Sequence, residues 1–273
     1  MSSSISSEEI YCKISNKYKC HKGYYYNTGL NVLDKPFEPK GSCVPGGLYF
    51  TNLKNIDSFY SYGDRILIVN IPTDAQVVKD PDETYGEKWR ADKIIVCDEY
   101  PLYDIETIKK FNLKINKPYL EWAVSGGHVD VLEFCKNTLS SDALSSLPSR
   151  ELHFYVHIAS KYGHINVLEW FRNNYAYQFK TVNVNHGMEC ASYGGHVNVL
   201  EWLKTKSGCC LEKVDSYNGV HYASADNNVK VLDWWKNSGF SMKNTQYSFL
   251  IAVAYGSNEA IEWWKNSGLL SLE

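Results

Sequence analysis

His128, His164 and His196 each follow a glycine at near-regular intervals in the second half of this 273-residue chain. Imidazoles at fixed spacing are what a metal site or a proton relay would use. The column continues, however, as Asn228 and Ser257. In a stacked array one repeat height separates each imidazole from the next, whereas zinc ligands must converge within about 2.1 Å of one ion. Asn and Ser are good helix N-caps, so the column predicts a polar group at the start of a helix instead.

A second candidate set is His21, Asp57, Asp64, Glu87, Arg90 and Asp92, none of which falls in a nucleophile, phosphate-loop or metal spacing. Within KWRADKI, Trp89 and Arg90 read as groups that brace their surroundings. The eight cysteines form no C-x-x-C pair and no zinc-finger spacing, which fits reduced, partly buried thiols. No catalytic, cofactor-binding or metal-binding residue is assigned.

What positions the histidine column is a phrase written five times: AVSGGHVDVLEF from Ala123, ASKYGHINVLEW from Ala159, ASYGGHVNVLEW from Ala191, ASADNNVKVLDW from Ala223 and AVAYGSNEAIEW from Ala252. A period near 33 residues belongs to a stacked helical array, whose long lateral surface favours binding over an enclosed catalytic pocket. Gly127, Gly163, Gly195, Asn227 and Gly256 share the column where one helix must end, and Gly and Asn are the residues that most readily turn left-handed. The pairs from Val131–Leu132 to Ala260–Ile261, followed by Cys135, Phe171, Leu203, Trp235 and Trp264, form the apolar stripe of the second helix. Phe134, Trp170, Trp202, Trp234 and Trp263 fill one further column. A tryptophan ladder could stack bases or sugars, but repetition at the seam between repeats reads as packing.

These residues resemble the ankyrin repeat, most closely from Ala191 through Leu203; of its threonine-proline-leucine-histidine segment only His157 and His221 remain. The dialect GHVNVLEWL and WWKNSG is similar to the ankyrin families of giant viruses, and NTGLNVLDKPFEPKGSCVPGGLYFTN with KWRADKIIV is similar to the module that precedes their arrays. The resemblance implies an α-helical ankyrin-repeat solenoid behind a small α+β N-terminal domain: residues 1–100 as a capping module, residues 101–273 as a half-repeat (YDIETIKKF) plus about five repeats. It implies a host or viral protein as partner, binding through the concave face, and a place in the host cytoplasm, the viral factory or the virion. Alternatives are a substrate adaptor for a ubiquitin ligase, or a degenerate module resembling ADP-ribosyltransferases around GLYFT.

Aromatic side chains dominate many interfaces, so Trp122, Tyr155, Tyr193, Tyr222 and Tyr247 are the expected protein contacts. Leu269, Leu270 and Leu272 after WWKNSG suggest apolar surface for self-association near the C-terminal end. Residues 1–100 carry 12 Lys/Arg against 14 Asp/Glu, and the whole chain has a net charge of −3, so no basic stripe invites nucleic acid. No run is long and apolar enough for a membrane span, and MSSSISSEEI lacks the features of a signal peptide. In the first hundred residues strands are expected at 48–51, 65–71, 75–78 and 93–97, with a short capped helix over 52–62. The module is further expected to join the array without a flexible linker.

Overall fold

A computed structural model describes residues 9–84, 86–138, 144, 147–212 and 214–270. The Ser-rich start and Leu272 lie outside the described residues. The chain divides into two compact units, Met1–Trp122 and Ala123–Glu273.

The first unit is built on strands β1 (Tyr11–Ser15), β2 (Cys20–His21), β3 (Tyr24–Tyr25), β4 (Gly29–Val32), β5 (Leu48–Asn52), β6 (Arg65–Asn70), β7 (Val77–Lys79), β8 (Trp89–Ala91) and β9 (Lys93–Pro101). Seven of them form an antiparallel sheet in the order β4-β9-β6-β1-β5-β8-β7, while β2 and β3 pair separately. Tyr11, Tyr26, Leu48, Phe50, Leu67, Val69, Trp89 and Ile94 pack into its core. The expected strands are present, with that at 75–78 displaced to Val77–Lys79. Sequence reasoning passed over β2, β3, β4 and β8 and, in the middle of the sheet, β1. All five of its residues are buried, so YCKIS shows no alternation, and Lys13 interrupts its apolar character.

A 3-10 helix over Leu53–Tyr62 follows β5, with the Asn52 side chain accepting from the Asn55 amide at 3.1 Å. Helix α1 (Ile105–Phe111), on the segment read as a half-repeat, falls within the first unit; it is capped by Asp104, whose carboxylate accepts from the Thr107 amide at 2.9 Å, and ends at left-handed Asn112.

Helical hairpins make up the remainder: α2 (Lys117–Ser125) with α3 (Val129–Thr138), α4 (Ser149–Lys161) with α5 (Ile165–Asn174), α7 (Val184–Tyr193) with α8 (Val197–Thr205), α9 (Tyr217–Ala225) with α10 (Val229–Asn237), and α11 (Thr245–Tyr255) with α12 (Asn258–Asn266). A one-turn helix α6 (Ala176–Phe179) lies between the second and third hairpins. The first helices pack in succession, α4 on α7, α7 on α9 and α9 on α11. The second helices follow beside them, α3 on α5, α5 on α8, α8 on α10 and α10 on α12. The apolar stripe is inward as its spacing requires: Val131, Leu132, Val167, Leu168, Val199, Leu200, Val231 and Leu232 are all fully buried.

Each hairpin turns on a left-handed residue, Gly127, Gly163, Gly195, Asn227 or Gly256. The column has a second cause, because a Cβ on Gly127 would lie 2.7 Å from His164 Nδ1 and one on Gly163 2.6 Å from His196 Nδ1. Where Asn227 supplies a Cβ, the next hairpin presents the smaller Ser257. Asn227 Oδ1 then accepts from the Ala260 amide at 2.8 Å.

Candidate protein-interaction surface

The histidine column starts the second helices, as expected, but its side chains do not cap them. They reach back to the preceding hairpin: His164 Nε2 donates to the Ser125 carbonyl at 2.7 Å, and Ser257 Oγ to the Ala225 carbonyl at 2.6 Å. His196 is lowered below the ordinary imidazole range by burial, against the pull of the Lys161 carbonyl it faces and with the further push of His164. The column therefore stitches hairpins together.

The tryptophan column is another inter-hairpin seam. Trp170 Nε1 donates to Glu133 at 2.6 Å, Trp202 to Glu169 at 3.2 Å, Trp234 to Glu201 at 3.0 Å and Trp263 to Asp233 at 2.6 Å. The acidic residue preceding each aromatic in the repeated phrase is thus the acceptor for the next hairpin's indole. Trp235 and Trp264, fully buried, donate to Ser192 Oγ at 2.9 Å and Ser224 Oγ at 3.0 Å. Room for Trp235 comes from Gly219, where a Cβ would lie 2.7 Å from the indole ring. These indoles and carboxylates hold the hairpins together, so the polar chemistry of the second helices is largely occupied.

Several exposed aromatic rings lie on the first helices and their ends, and one more, Tyr177, 84% exposed, stands on the one-turn helix α6. Tyr193 and Tyr222 are 48% and 42% exposed and meet edge to face at 5.5 Å. Lys161 Nζ stands 5.0 Å from the Tyr193 ring centre. Tyr247, 50% exposed, covers His221 at 4.8 Å and stacks with Tyr217 at 6.5 Å. The structure brings together Tyr193 with Tyr222, and Tyr247 with its own neighbours.

Tyr155 does not belong to this group. It is buried and stacks on Phe171 of its own hairpin at 5.9 Å. It lies four residues before Ala159, on the face of α4 that turns inward, and this spacing could have excluded it as a contact. Trp122 is exposed but belongs to the first unit. Sequence reasoning missed Phe154, Tyr162, Tyr177, Leu250, Val253 and Tyr255, which are also exposed in the hairpin unit. Near the C-terminal end the exposed apolar surface is on α11; Trp264 is buried, and Trp263, Leu269 and Leu270 are only half-exposed.

The candidate chemical groups of the first unit are dispersed into structural contacts. Asp57 pairs with Lys114 at 2.9 Å, Glu87 with Lys79 at 2.5 Å, and Asp92 accepts from the Gln76 amide at 2.9 Å. The Asp64 carbonyl accepts from the Leu102 amide at 2.8 Å, and His21 lies beside Lys13 at 3.2 Å. Arg90 is wholly buried: Nη1 meets Asp80 at 2.8 Å, Nε the Glu38 carbonyl at 2.9 Å, and Nη2 the carbonyls of Lys40 and Gly41 at 3.1 and 2.9 Å. Asp80 also accepts from Ser42 Oγ at 2.8 Å and from the amides of Cys43 and Asp82 at 3.0 and 3.1 Å. Burial alone would raise its pKa; those hydrogen bonds, with Lys88, outweigh burial and hold it below the carboxylate range. The Cys43 thiol, Asp80 and Asp82 lie within 4.8 Å of one another, but a cation there would compete with Arg90 and Lys88 for Asp80.

Paired helices joined at left-handed turns, and tied to the next pair at columns that recur along the chain, define a tandem-hairpin repeat protein. Relatives specify which kind. A protein of Acanthamoeba polyphaga mimivirus named as an ankyrin repeat protein, R868, is 30% identical over 171 residues, covering 60% of this chain and 82% of its own length. Another so named, R229, is 38% identical over 146 residues, covering 47% of each chain. The uncharacterized mimivirus protein R869 is 34% identical over 136 residues, 95% of its own length. The chain belongs to this giant-virus ankyrin repeat family, although it spans less than half the length of R229. No family model matches the chain. No described helix is long and apolar enough to cross a membrane.

Proposed function

We propose that the hairpin unit is an ankyrin solenoid that binds a host or viral protein through its first-helix face, with Tyr193, Tyr222 and Tyr247 as the principal contacts. One observation carries the reading: these aromatic rings are exposed on first helices while the indoles of the second helices are engaged in the seams. Tyr and Trp supply large contact area at low conformational cost, which is why they anchor interfaces. The relatives named as ankyrin repeat proteins support a role in protein interaction and point to no reaction.

The test is affinity purification of the full chain from its native cell, followed by mass spectrometry and titration of the recovered partner. Replacing Tyr193, Tyr222 and Tyr247 together by Ala is expected to weaken the partner by about thirtyfold or more, the effect of losing one strong anchor. Thermal unfolding should change little, since all three rings are substantially exposed. Undiminished affinity removes the first-helix face from the reading. Recovery of cullin subunits with the partner would narrow the function to that of a ligase adaptor.

A further inference from the structure

Lys13 lies in β1 at the middle of the sheet, 5% exposed, and its ammonium pairs with no carboxylate among the described residues. Nζ is 3.2 Å from His21 Nδ1 and 3.1 Å from the Tyr49 carbonyl, and 4.7 Å from the centre of the Tyr26 ring. Buried cations are normally matched by a carboxylate. Arg90 and Lys88 obey that rule through Asp80 and Asp82. Lys13 does not.

A cavity of about 90 Å³ opens beside it, several times the space one water needs. Ile14, Phe50 and Phe59 give it an apolar wall, and Lys22, Lys88 and His21 stand with Lys13 in its lining, with no Asp or Glu among the described residues that line it. Because Lys88 is already paired, the uncompensated charge is that of Lys13 and exposed Lys22. We propose that this cavity binds a small organic anion, its carboxylate or phosphate head on Lys13 and its ring-sized apolar body against Ile14, Phe50 and Phe59.

The surrounding electrostatics agree. Burial, and then Lys22, push the Lys13 ammonium down to about 7. Burial, with Lys13 and Lys22, pushes His21 to about 4, so its neutral ring can accept from Lys13. An incoming anion supplies the partner that this buried amine lacks, and it does so where low dielectric strengthens the contact.

Calorimetric titration of the full chain with benzoate, phenyl phosphate and inorganic phosphate tests the proposal. Benzoate or phenyl phosphate should saturate one site about tenfold or more tighter than inorganic phosphate, because only they bury a ring; whichever binds tighter identifies the head group. Lys13→Met should abolish this binding while leaving the melting temperature unchanged or higher, since it removes an uncompensated buried amine. Lys22→Gln, at an exposed position, should weaken binding several-fold and guards against a folding defect in the first variant. Absence of saturation, wild-type affinity in Lys13→Met, or equally tight inorganic phosphate would each overturn the site as described.

Discussion

The sheet unit concentrates its buried ion pairs at one place, where Arg90, Asp80 and Lys88 meet, whereas the hairpin unit spreads its polar contacts along columns that recur from one hairpin to the next. The two arrangements should fail differently. A concentrated centre loses much when one member goes, because its partners stay buried and unmatched. A distributed seam loses one increment at a time, as expected of a repeat array stabilised by nearest-neighbour contacts.

The largest effect is therefore expected at Asp80. Asp80→Asn leaves the Arg90 guanidinium buried without its counter-charge, at a cost of about 3–5 kcal/mol. Denaturant unfolding of the full chain, followed by hydrogen exchange in β5 and β8, would measure it. Asp80 is held below its unfolded pKa, so it contributes stability above the ordinary carboxylate range and loses it as pH falls through the folded value. The difference between wild type and Asp80→Asn should accordingly shrink in acid. A loss under about 1 kcal/mol at neutral pH would show that the centre is no more critical than a surface pair.

The same contrast explains what could be read from the sequence. The left-handed turns, the inward stripe and the buried Trp235 and Trp264 were legible because five copies display which positions hold their chemistry and which drift. Even there, His164 and Ser257 were legible in position but not in bonding. Their partners, Ser125 and Ala225, lie in the preceding hairpin and contribute only a carbonyl, which every residue has. In the sheet unit each decisive residue occurs once. Arg90 was legible as a brace, but its acceptors Glu38, Lys40 and Gly41 lie about fifty positions away and again offer only carbonyls. Lys13 was invisible because no single sequence marks a lysine in an apolar run as central. Tyr155 shows the opposite error, an aromatic residue judged by its type when its spacing from Ala159 already placed it inside.

A middle-sized effect probes coupling between columns. Gly163→Asn keeps a residue that tolerates the left-handed turn, as Asn227 does, but sets a Cβ against His196. Alone it should cost about 1–3 kcal/mol, the usual range for overpacking. Combined with His196→Ser, which reproduces the Asn227 and Ser257 pairing, the loss should be partly recovered, with a coupling energy of at least about 1 kcal/mol. Strict additivity of the two substitutions would mean that the glycine column answers to backbone geometry alone.

The smallest effect belongs to the tryptophan seam, and its size is the sharpest measure of how finely the hairpin unit divides its stability. Trp170→Phe keeps most of the packing and removes one indole N–H from Glu133, whose carboxylate is solvent-exposed. Such a bond should be worth no more than about 1 kcal/mol. Glu133 is held below its ordinary pKa of 4.5 first by the Trp170 indole, then by Asn137, with burial opposing and Lys136 assisting. Trp170→Phe should thus raise the Glu133 pKa toward 4.5 in an NMR titration. Because the folded value is depressed, the small stabilisation exists above the unfolded pKa and fades as pH falls through the folded one, so wild type and variant should converge in acid. An unmoved Glu133 titration would remove the indole as the cause of the shift. A loss of several kcal/mol would mean that this seam is as concentrated as the Asp80 centre, and the contrast between the two units would fail at its finest point.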